Sequence, residues 1–147
     1  MDVFEEIVMN YLVRNGDTFV SPQFNVKSMQ DKVWSCPDFV ALNVPKKVVS
    51  VVEVSVKSGI KGLVQRVNDR NNHWIEKLRN QLIHNHVVDE RWTYQVHVFI
   101  RKDQIEYFER NVADREGVIV EVIEDVCFSW SPTWWEKKLD QSQTNLQ

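Results

Sequence analysis

The sequence predicts a single α/β domain built on a central mixed β-sheet with helices on both sides, in the order αβββαβαβ. A helical pattern at the amino terminus is followed by three β-rich segments, and each of two later β-rich segments follows a helical pattern. Strands joined by a short turn pair antiparallel, whereas strands reached through a helical crossover pair parallel. The predicted sheet therefore contains both kinds of pairing.

Size and composition are those of one globular domain spanning residues 1–147. The chain is 43% hydrophobic and 27% charged. No apolar stretch approaches the roughly 20 residues that a membrane span requires, so no membrane partner is predicted. The two cysteines, Cys36 and Cys127, lie far apart in strand-like segments without metal-type spacing. They are predicted to be buried free thiols in a reducing, cytoplasmic setting.

The first elements are set by short-range patterns. Apolar residues recur at helical spacing from Val3 to Arg14, which predicts an amphipathic helix. Gly16 is placed to end that helix with a left-handed cap. The segment from Thr18 to Val26 has strand composition, and the polar residues 27–33 are predicted to form a loop.

The second and third strands are predicted to form a hairpin over residues 34–42 and 47–57. Asn, Pro and Lys residues punctuate the connection, and β-branched residues flank it. If the turn centres near Pro45, positions that pair across the ladder add up to about 91, so Asp38 falls opposite Glu53. Two carboxylates that face each other repel unless a proton or cation lies between them. A hard divalent cation with oxygen ligands is the usual resolution, and the pair predicts a metal site.

The remaining elements alternate between helix and strand. Residues 61–83 show a long helical pattern, 93–100 a strand, 102–115 a helix and 118–126 a final strand. The segment 129–147 is an aromatic and then polar tail. Its Trp130, Trp134 and Trp135 are expected to seal a core edge or dimer contact, with stacking on unpaired bases as the alternative.

Charge is unevenly distributed along a chain whose net charge is −3. Between positions 27 and 70 there are eight basic and four acidic residues, and two of those acids are the candidate metal ligands. A basic face beside a carboxylate pair suits a polyanionic substrate. A solvated surface with random clustering is the competing interpretation.

Pro37-Asp38 on the second strand and Glu53 near the end of the third resemble the motif of the PD-(D/E)XK nuclease superfamily, which has the restriction-endonuclease-like fold. The resemblance covers Phe4 to Val126. It implies that Asp38 and Glu53, with the main-chain carbonyl of Val54, hold one or two Mg²⁺ or Mn²⁺ ions. It also implies an auxiliary metal ligand on the first helix, at Glu5, with Glu6 as its competitor.

The sequence departs from this motif at the lysine. The motif places lysine two residues after the glutamate, where this chain has Ser55, and the lysine comes at Lys57. Strand periodicity puts Lys57 on the face of Glu53 but about 13 Å along the strand. We expect Lys57 to be the catalytic cation, with Lys61 as another donor. The resemblance allows for this, since lysine migration occurs across this superfamily, as does loss of activity.

The long helix carries the predicted nucleic-acid contacts. Arg66, Arg70, His73 and Lys77 form one stripe at helical spacing. The predicted contacts are Lys61, Gln65, Arg66 and Arg70, and a solvated helix face is the alternative.

The resemblance therefore implies a metal-dependent endonuclease that hydrolyses DNA phosphodiester bonds. The chain is too short for a separate sequence-reading domain, so structure-selective or partner-targeted cleavage is expected. A homodimer is a further expectation, since cutting both strands usually needs two sites. Two alternatives stay open: a degraded site in a DNA-binding or protein-interaction module, and an RNA endonuclease.

Overall fold

A computed structural model describes residues 1–128, and the predicted tail 129–147 lies outside the described residues. The strands are β1 (Thr18–Pro22), β2 (Val26–Lys27), β3 (Val33–Ser35), β4 (Phe39–Asn43), β5 (Val48–Ser55), β6 (Thr93–Ile100) and β7 (Val118–Val122). The α-helices are α1 (Val3–Leu12), α2 (Lys61–Asn68), α3 (Glu76–His84), α4 (Ile105–Asn111) and α5 (Ile123–Phe128). A π-helical turn (Asn71–Ile75) joins α2 to α3, and a 3-10 turn (Lys102–Gln104) precedes α4.

Five strands form one mixed sheet in the order β1-β4-β5-β6-β7, which confirms the predicted sheet type. β1, β4 and β5 are antiparallel, and β5, β6 and β7 are parallel because helices connect them. The predicted hairpin register is also confirmed: Phe39 pairs with Val52, and Asn43 pairs with Val48. One position beyond the first of these pairs, Asp38 stands opposite Glu53.

The sheet is buried on both faces, as expected for strands connected by helices. On one face, Val49, Val51 and Val96 pack beneath Trp74 and Leu78 of the π turn and α3. On the other face, the core combines residues of α1 and α5 with those of the sheet: Val8, Phe39, Val52, Phe99, Ile123 and Val126. The two candidate ligands lie at one end of this sheet, between the helical layers.

The predicted element order is wrong at the second strand. Residues 34–42 are not one strand, since β3 ends at Ser35 and β4 begins at Phe39. Pro37 lies in the break, where it removes a backbone donor that a continuous ladder would use. The predicted loop 27–33 is the turn of a separate two-stranded hairpin, β2–β3.

Two further predictions are corrected at helices. The segment 61–83 is divided by the π turn, which is rich in asparagine. The strand expected over 118–126 ends at Val122, and α5 follows because Ile123 and Val126 are buried at helical spacing. Both cysteines are free, but Cys36 is exposed rather than buried because it falls in the break between β3 and β4. Within residues 1–128 no helix is long and apolar enough to cross a membrane.

Candidate metal centre

The centre lies where β4 begins and β5 nears its end. Asp38 directly precedes β4, and the adjoining Pro37 is buried. Glu53 lies two residues before the last residue of β5. Because directly opposite residues of an antiparallel pair project to the same face of a sheet, the two carboxyl groups meet on the face that α2 covers. The sequence prediction placed these two residues together correctly.

Asp38 is anchored to the neighbouring strand. The main-chain N–H of Val54 donates to Asp38 Oδ2 at 2.8 Å. Because the N–H and C=O of one strand residue point to the same side, the Val54 carbonyl is also directed toward Asp38. Burial raises the pKa of Asp38, and the Glu5 carboxyl adds to that rise, whereas the Val54 N–H bond opposes it.

Glu53 carries the larger pKa shift. Burial first, and then the charge of Asp38, raise the pKa of Glu53 to about 8, while the Arg66 guanidinium opposes the rise. A carboxyl group with that pKa holds a proton at neutral pH, which is one way to relieve the repulsion between two facing acids. A divalent cation is the other way.

Glu5 belongs to the amino-terminal cap of α1. The Glu5 main-chain N–H donates to Asp2 Oδ1 at 2.8 Å, and the Asp2 N–H donates to Glu5 Oε2 at 2.8 Å. This is a capping box, which satisfies two backbone donors of the first turn. The Glu5 carboxyl nevertheless influences the pKa values of both Asp38 and Glu53, and Glu6 is exposed. Of the two candidates, Glu5 is the one near the centre.

These donors suit a hexacoordinate hard cation that keeps part of its water shell. Among residues 1–128, no three His, Cys, Asp or Glu side chains are grouped to hold a metal ion by themselves. The capping box holds one Glu5 oxygen against the Asp2 amide. Two carboxylates and the Val54 carbonyl remain, and Mg²⁺ is commonly bound through one or two carboxylates with several waters.

Arg66 is the cation that opposes the rise in the Glu53 pKa. Its Nη1 lies 3.5 Å from where a Cβ of Gly62 would stand, so the guanidinium lies over the first turn of α2. Lys57 is exposed two residues beyond β5, and its main-chain N–H donates to Ser55 Oγ at 3.4 Å. The structure therefore brings Arg66 rather than Lys57 to the face of Glu53.

The other predicted nucleic-acid contacts differ in their surroundings. Lys61 and Gln65 are exposed on α2. The Arg70 side chain is only 13% exposed and pairs with Asp114 at 3.7 Å. Its guanidinium also donates to the main-chain oxygens of Val67 and Glu116, each at 3.0 Å. Arg70 thus ties α2 to the segment before β7, and its hydrogen-bonding capacity is largely used there.

Sequence reasoning missed a group that docks β3 onto the π turn. The Trp34 Nε1–H donates to the main-chain oxygen of His73 at 3.0 Å. Ser35 Oγ accepts from Trp74 Nε1 at 3.2 Å and lies 3.3 Å from His73 Nε2. The one available signal was a tryptophan and a serine just before Pro37, and the partners are distant in sequence.

A second polar cluster, also missed, occupies the opposite face of the sheet. Glu121 on β7 is hydrogen-bonded to His97 Nε2 at 2.6 Å and to the Tyr11 hydroxyl at 2.6 Å. Those bonds outweigh burial and lower the pKa of Glu121. Neighbouring Gln95 donates to Ser50 Oγ at 2.8 Å. The polar groups of this cluster are hydrogen-bonded to one another, and the cluster is separate from the Asp38–Glu53 pair.

Comparison of the chain with known protein families, with curated proteins and with solved structures finds no match in any of the three.

Proposed function

We propose that this protein is a divalent-metal-dependent endonuclease that hydrolyses DNA phosphodiester bonds. The observation that carries the proposal is the pairing of Asp38 with Glu53 across the β4–β5 ladder, with the pKa of Glu53 raised to about 8. Carboxyl groups whose pKa values are raised by burial and by a specific charged partner are candidates for a functional site. The Val54 carbonyl completes an oxygen donor set suited to Mg²⁺ or Mn²⁺.

In this proposal each residue has a defined task. Asp38, fixed by the Val54 amide, and Glu53, once deprotonated, hold the ion, with Glu5 as an outer carboxylate. An ion held there would lower the pKa of a water molecule and neutralise charge on the phosphate. Arg66 stabilises charge that develops on the phosphate oxygens, a task that the superfamily motif gives to lysine. Lys57 and Lys61 are exposed cations near the end of β5 that meet the flanking backbone.

The same proposal covers how the substrate is selected, the oligomeric state and the cellular location. With no region within residues 1–128 that forms a separate reading domain, cleavage depends on substrate shape or on a targeting partner. Cutting both strands of a duplex calls for a homodimer. The chain acts inside the cell, in a reducing compartment, where its two free cysteines stay reduced.

Metal binding and cleavage test the proposal together. Calorimetric titration with Mn²⁺ is expected to show saturable binding to the wild-type protein and none to Asp38→Asn or Glu53→Gln. Glu6→Gln, at an exposed acid of α1, is the matched control and should bind as wild type. Labelled single-stranded, duplex and branched DNA, and RNA of the same shapes, are then incubated with Mn²⁺ and with chelator. Mn²⁺ binding that survives Asp38→Asn would refute the metal centre.

A second candidate function is a degraded nuclease fold that serves as a DNA-binding or protein-interaction module. The specific observation in its favour is Ser55 at the motif lysine position, together with the exposed position of Lys57. Saturable binding of nucleic acid with no Mn²⁺ uptake and no cleavage would favour this candidate. Cleavage confined to RNA would instead assign the activity to an RNA endonuclease.

A further inference from the structure

The surface beside the carboxyl pair carries two cations, an imidazole and an indole ring. Burial, then Arg66, and also Lys77 lower the pKa of His73, so both cations lie near that imidazole. Arg66 acts on Glu53 as well. Lys77 Nζ lies 4.1 Å from the centre of the Trp34 ring. We call Arg66, His73, Lys77 and Trp34 the cation–indole track, in which the measured contact is that of Lys77 with the Trp34 ring.

The outer end of the track is held rigidly but stays accessible. The bond from Trp34 Nε1 to the His73 carbonyl fixes the indole against the π turn. Lys77 Nζ donates to the Asn72 carbonyl at 2.8 Å, which fixes the ammonium group above the ring. The Trp34 residue is nevertheless 47% exposed. An indole that is fixed and half exposed offers an aromatic surface at little further cost in conformational entropy.

Beyond Lys77 the track opens into a groove of about 680 Å³ between the β2–β3 turn and α3. Its walls include Met29, Asn80 and His84, together with Lys27, whose ammonium group is 3.3 Å from Asp31. Gln81 holds the turn in place with two hydrogen bonds. Gln81 Nε2 donates to the main-chain oxygen of Asn25 at 3.1 Å, and Gln81 Oε1 accepts from the main-chain N–H of Lys27 at 2.9 Å. The groove therefore continues the track along α3, and its charged lining residues are Lys27 and Lys77 against Asp31.

We propose that the cation–indole track and this groove bind a single-stranded arm of nucleic acid. The inference rests on the proposed function and names its substrate class: a single strand, or a junction between duplex and single strand. Arg66 and Lys77 would contact phosphates, and Trp34 would stack on an unpaired base. Trp34 and Asp38 are four positions apart in the chain, so their Cα atoms are at most about 14 Å apart, a span of a few nucleotides.

An aromatic surface separates this ligand from other polyanions. An acidic peptide would pair with the same cations but would gain little from a rigid indole. In a duplex the base faces are already stacked and cannot meet Trp34. A single strand uses both features, because its phosphates and its unpaired bases are exposed together.

The test measures binding of a fluorescein-labelled oligothymidine of about 12 nucleotides, by anisotropy, with the full chain in chelator. Trp34→Leu is expected to weaken binding about fivefold or more, and Trp34→Phe to retain most of the affinity, because phenylalanine still stacks. Lys77→Gln should weaken binding and reduce the salt dependence by about 0.7 in the log–log slope. Thermal melts of each variant confirm that it is folded.

The matched control is Arg79→Gln. Arg79 has the same charge as Lys77 and also lies on α3, but it does not line the groove. Its charge influences the pKa of Tyr94 on β6 instead. It should bind oligothymidine as wild type does. Equal losses in Arg79→Gln and Lys77→Gln, or unchanged affinity in Trp34→Leu, would overturn the track. So would polyglutamate that competes as well as oligothymidine, or duplex that binds as tightly.

The outcome is independent of catalysis because chelator is present throughout. If oligothymidine binding follows the expected pattern but no cleavage occurs in Mn²⁺, the cation–indole track is supported and the proposed nuclease activity is refuted. If the protein cleaves nucleic acid in Mn²⁺ and both Trp34→Leu and Lys77→Gln bind oligothymidine with wild-type affinity, the proposed activity is supported and the cation–indole track is refuted.

Discussion

The Arg66 guanidinium on α2 interacts electrostatically with the half-buried Glu53 carboxyl on β5, and its charge opposes the pKa rise that burial and Asp38 impose on Glu53. Arg66 thus supplies a positive charge on the sheet face of Glu53. In the nuclease motif that the sequence resembles, a lysine supplies this charge from the position that Ser55 occupies here. Glu53 lies on β5, before the crossover to β6, and Arg66 lies on α2, within that crossover. The centre therefore has a cation that the spacing of the motif did not indicate. It also leads to the first prediction.

Replacing Arg66 by glutamine is expected to raise the pKa of Glu53 above about 8, because the opposing positive charge is removed. NMR titration of the Glu53 side-chain carboxyl carbon measures this directly. Arg66→Lys should restore part of the shift. If the protein cleaves DNA, Arg66→Gln should lower kcat by about tenfold or more. Arg70→Gln is the control: it should reduce stability through its lost contacts and leave the Glu53 pKa unchanged.

Metal binding is expected to release protons. With a pKa of about 8, Glu53 is mostly protonated at pH 7, and a metal ligand must be deprotonated. Mn²⁺ uptake at pH 7 should therefore release about one proton, and the affinity should rise up to about tenfold per pH unit until pH 8. Calorimetry in two buffers of different ionisation heat counts the protons. A heat that is independent of the buffer would contradict the assignment of Glu53 as a ligand.

The metal-free protein is expected to lose stability as pH rises from about 5 to about 8. The folded-state pKa of Glu53 lies above its ordinary value of 4.5, so in this window the folded state holds a proton that the unfolded state has released. Stability therefore falls with pH through this window and levels off above it. The midpoint of thermal unfolding in chelator should drop by roughly 5 °C or more.

Glu53→Gln isolates this contribution, because glutamine keeps the shape and cannot ionise. Its unfolding midpoint should vary less with pH than that of wild type, and above pH 8 it should exceed the wild-type value. Equal pH profiles for the two proteins would show that Glu53 titrates normally in the folded state.

Ser55→Lys is expected to increase activity. Ser55 ends β5 on the same face as Glu53, two residues away, and is half-buried. An ammonium group there should lower the pKa of Glu53 and raise Mn²⁺-dependent cleavage by about tenfold or more. Lys57→Gln in the wild-type background should change the rate less than Arg66→Gln does. A rate that collapses in Lys57→Gln and is unaffected in Arg66→Gln would return the catalytic role to Lys57.

Local patterns were sufficient for the hairpin that carries the two acids. A turn at Pro45 between β-branched segments fixes which residues pair, and a period of two fixes which side chains share a face. The observed pairing of Phe39 with Val52 is the predicted register. Helical crossovers likewise predicted the parallel half of the sheet. These features depend on residues close together in the chain, or on the chirality and length of single connections.

The other features depend on contacts between residues far apart in the chain. Pro37 is a local signal for the strand break after Ser35, but the β2–β3 hairpin and the π turn that divides the long helix lack a distinctive one. Each is stabilised by a distant partner, as when Trp34 donates to His73 or Gln81 holds β2. Arg66 and Arg70, four residues apart on a predicted stripe, take different roles because different elements lie beside them.

The sequence by itself determined the mixed sheet and the meeting of Asp38 with Glu53, because turn chemistry and strand periodicity act over a few residues. Only the tertiary structure decided that Arg66 approaches Glu53, that Arg70 binds the main-chain oxygen of Glu116, and that Glu5 lies near both acids of the pair. The physical reason is that charge interactions and hydrogen bonds depend on distances between elements, and packing sets those distances.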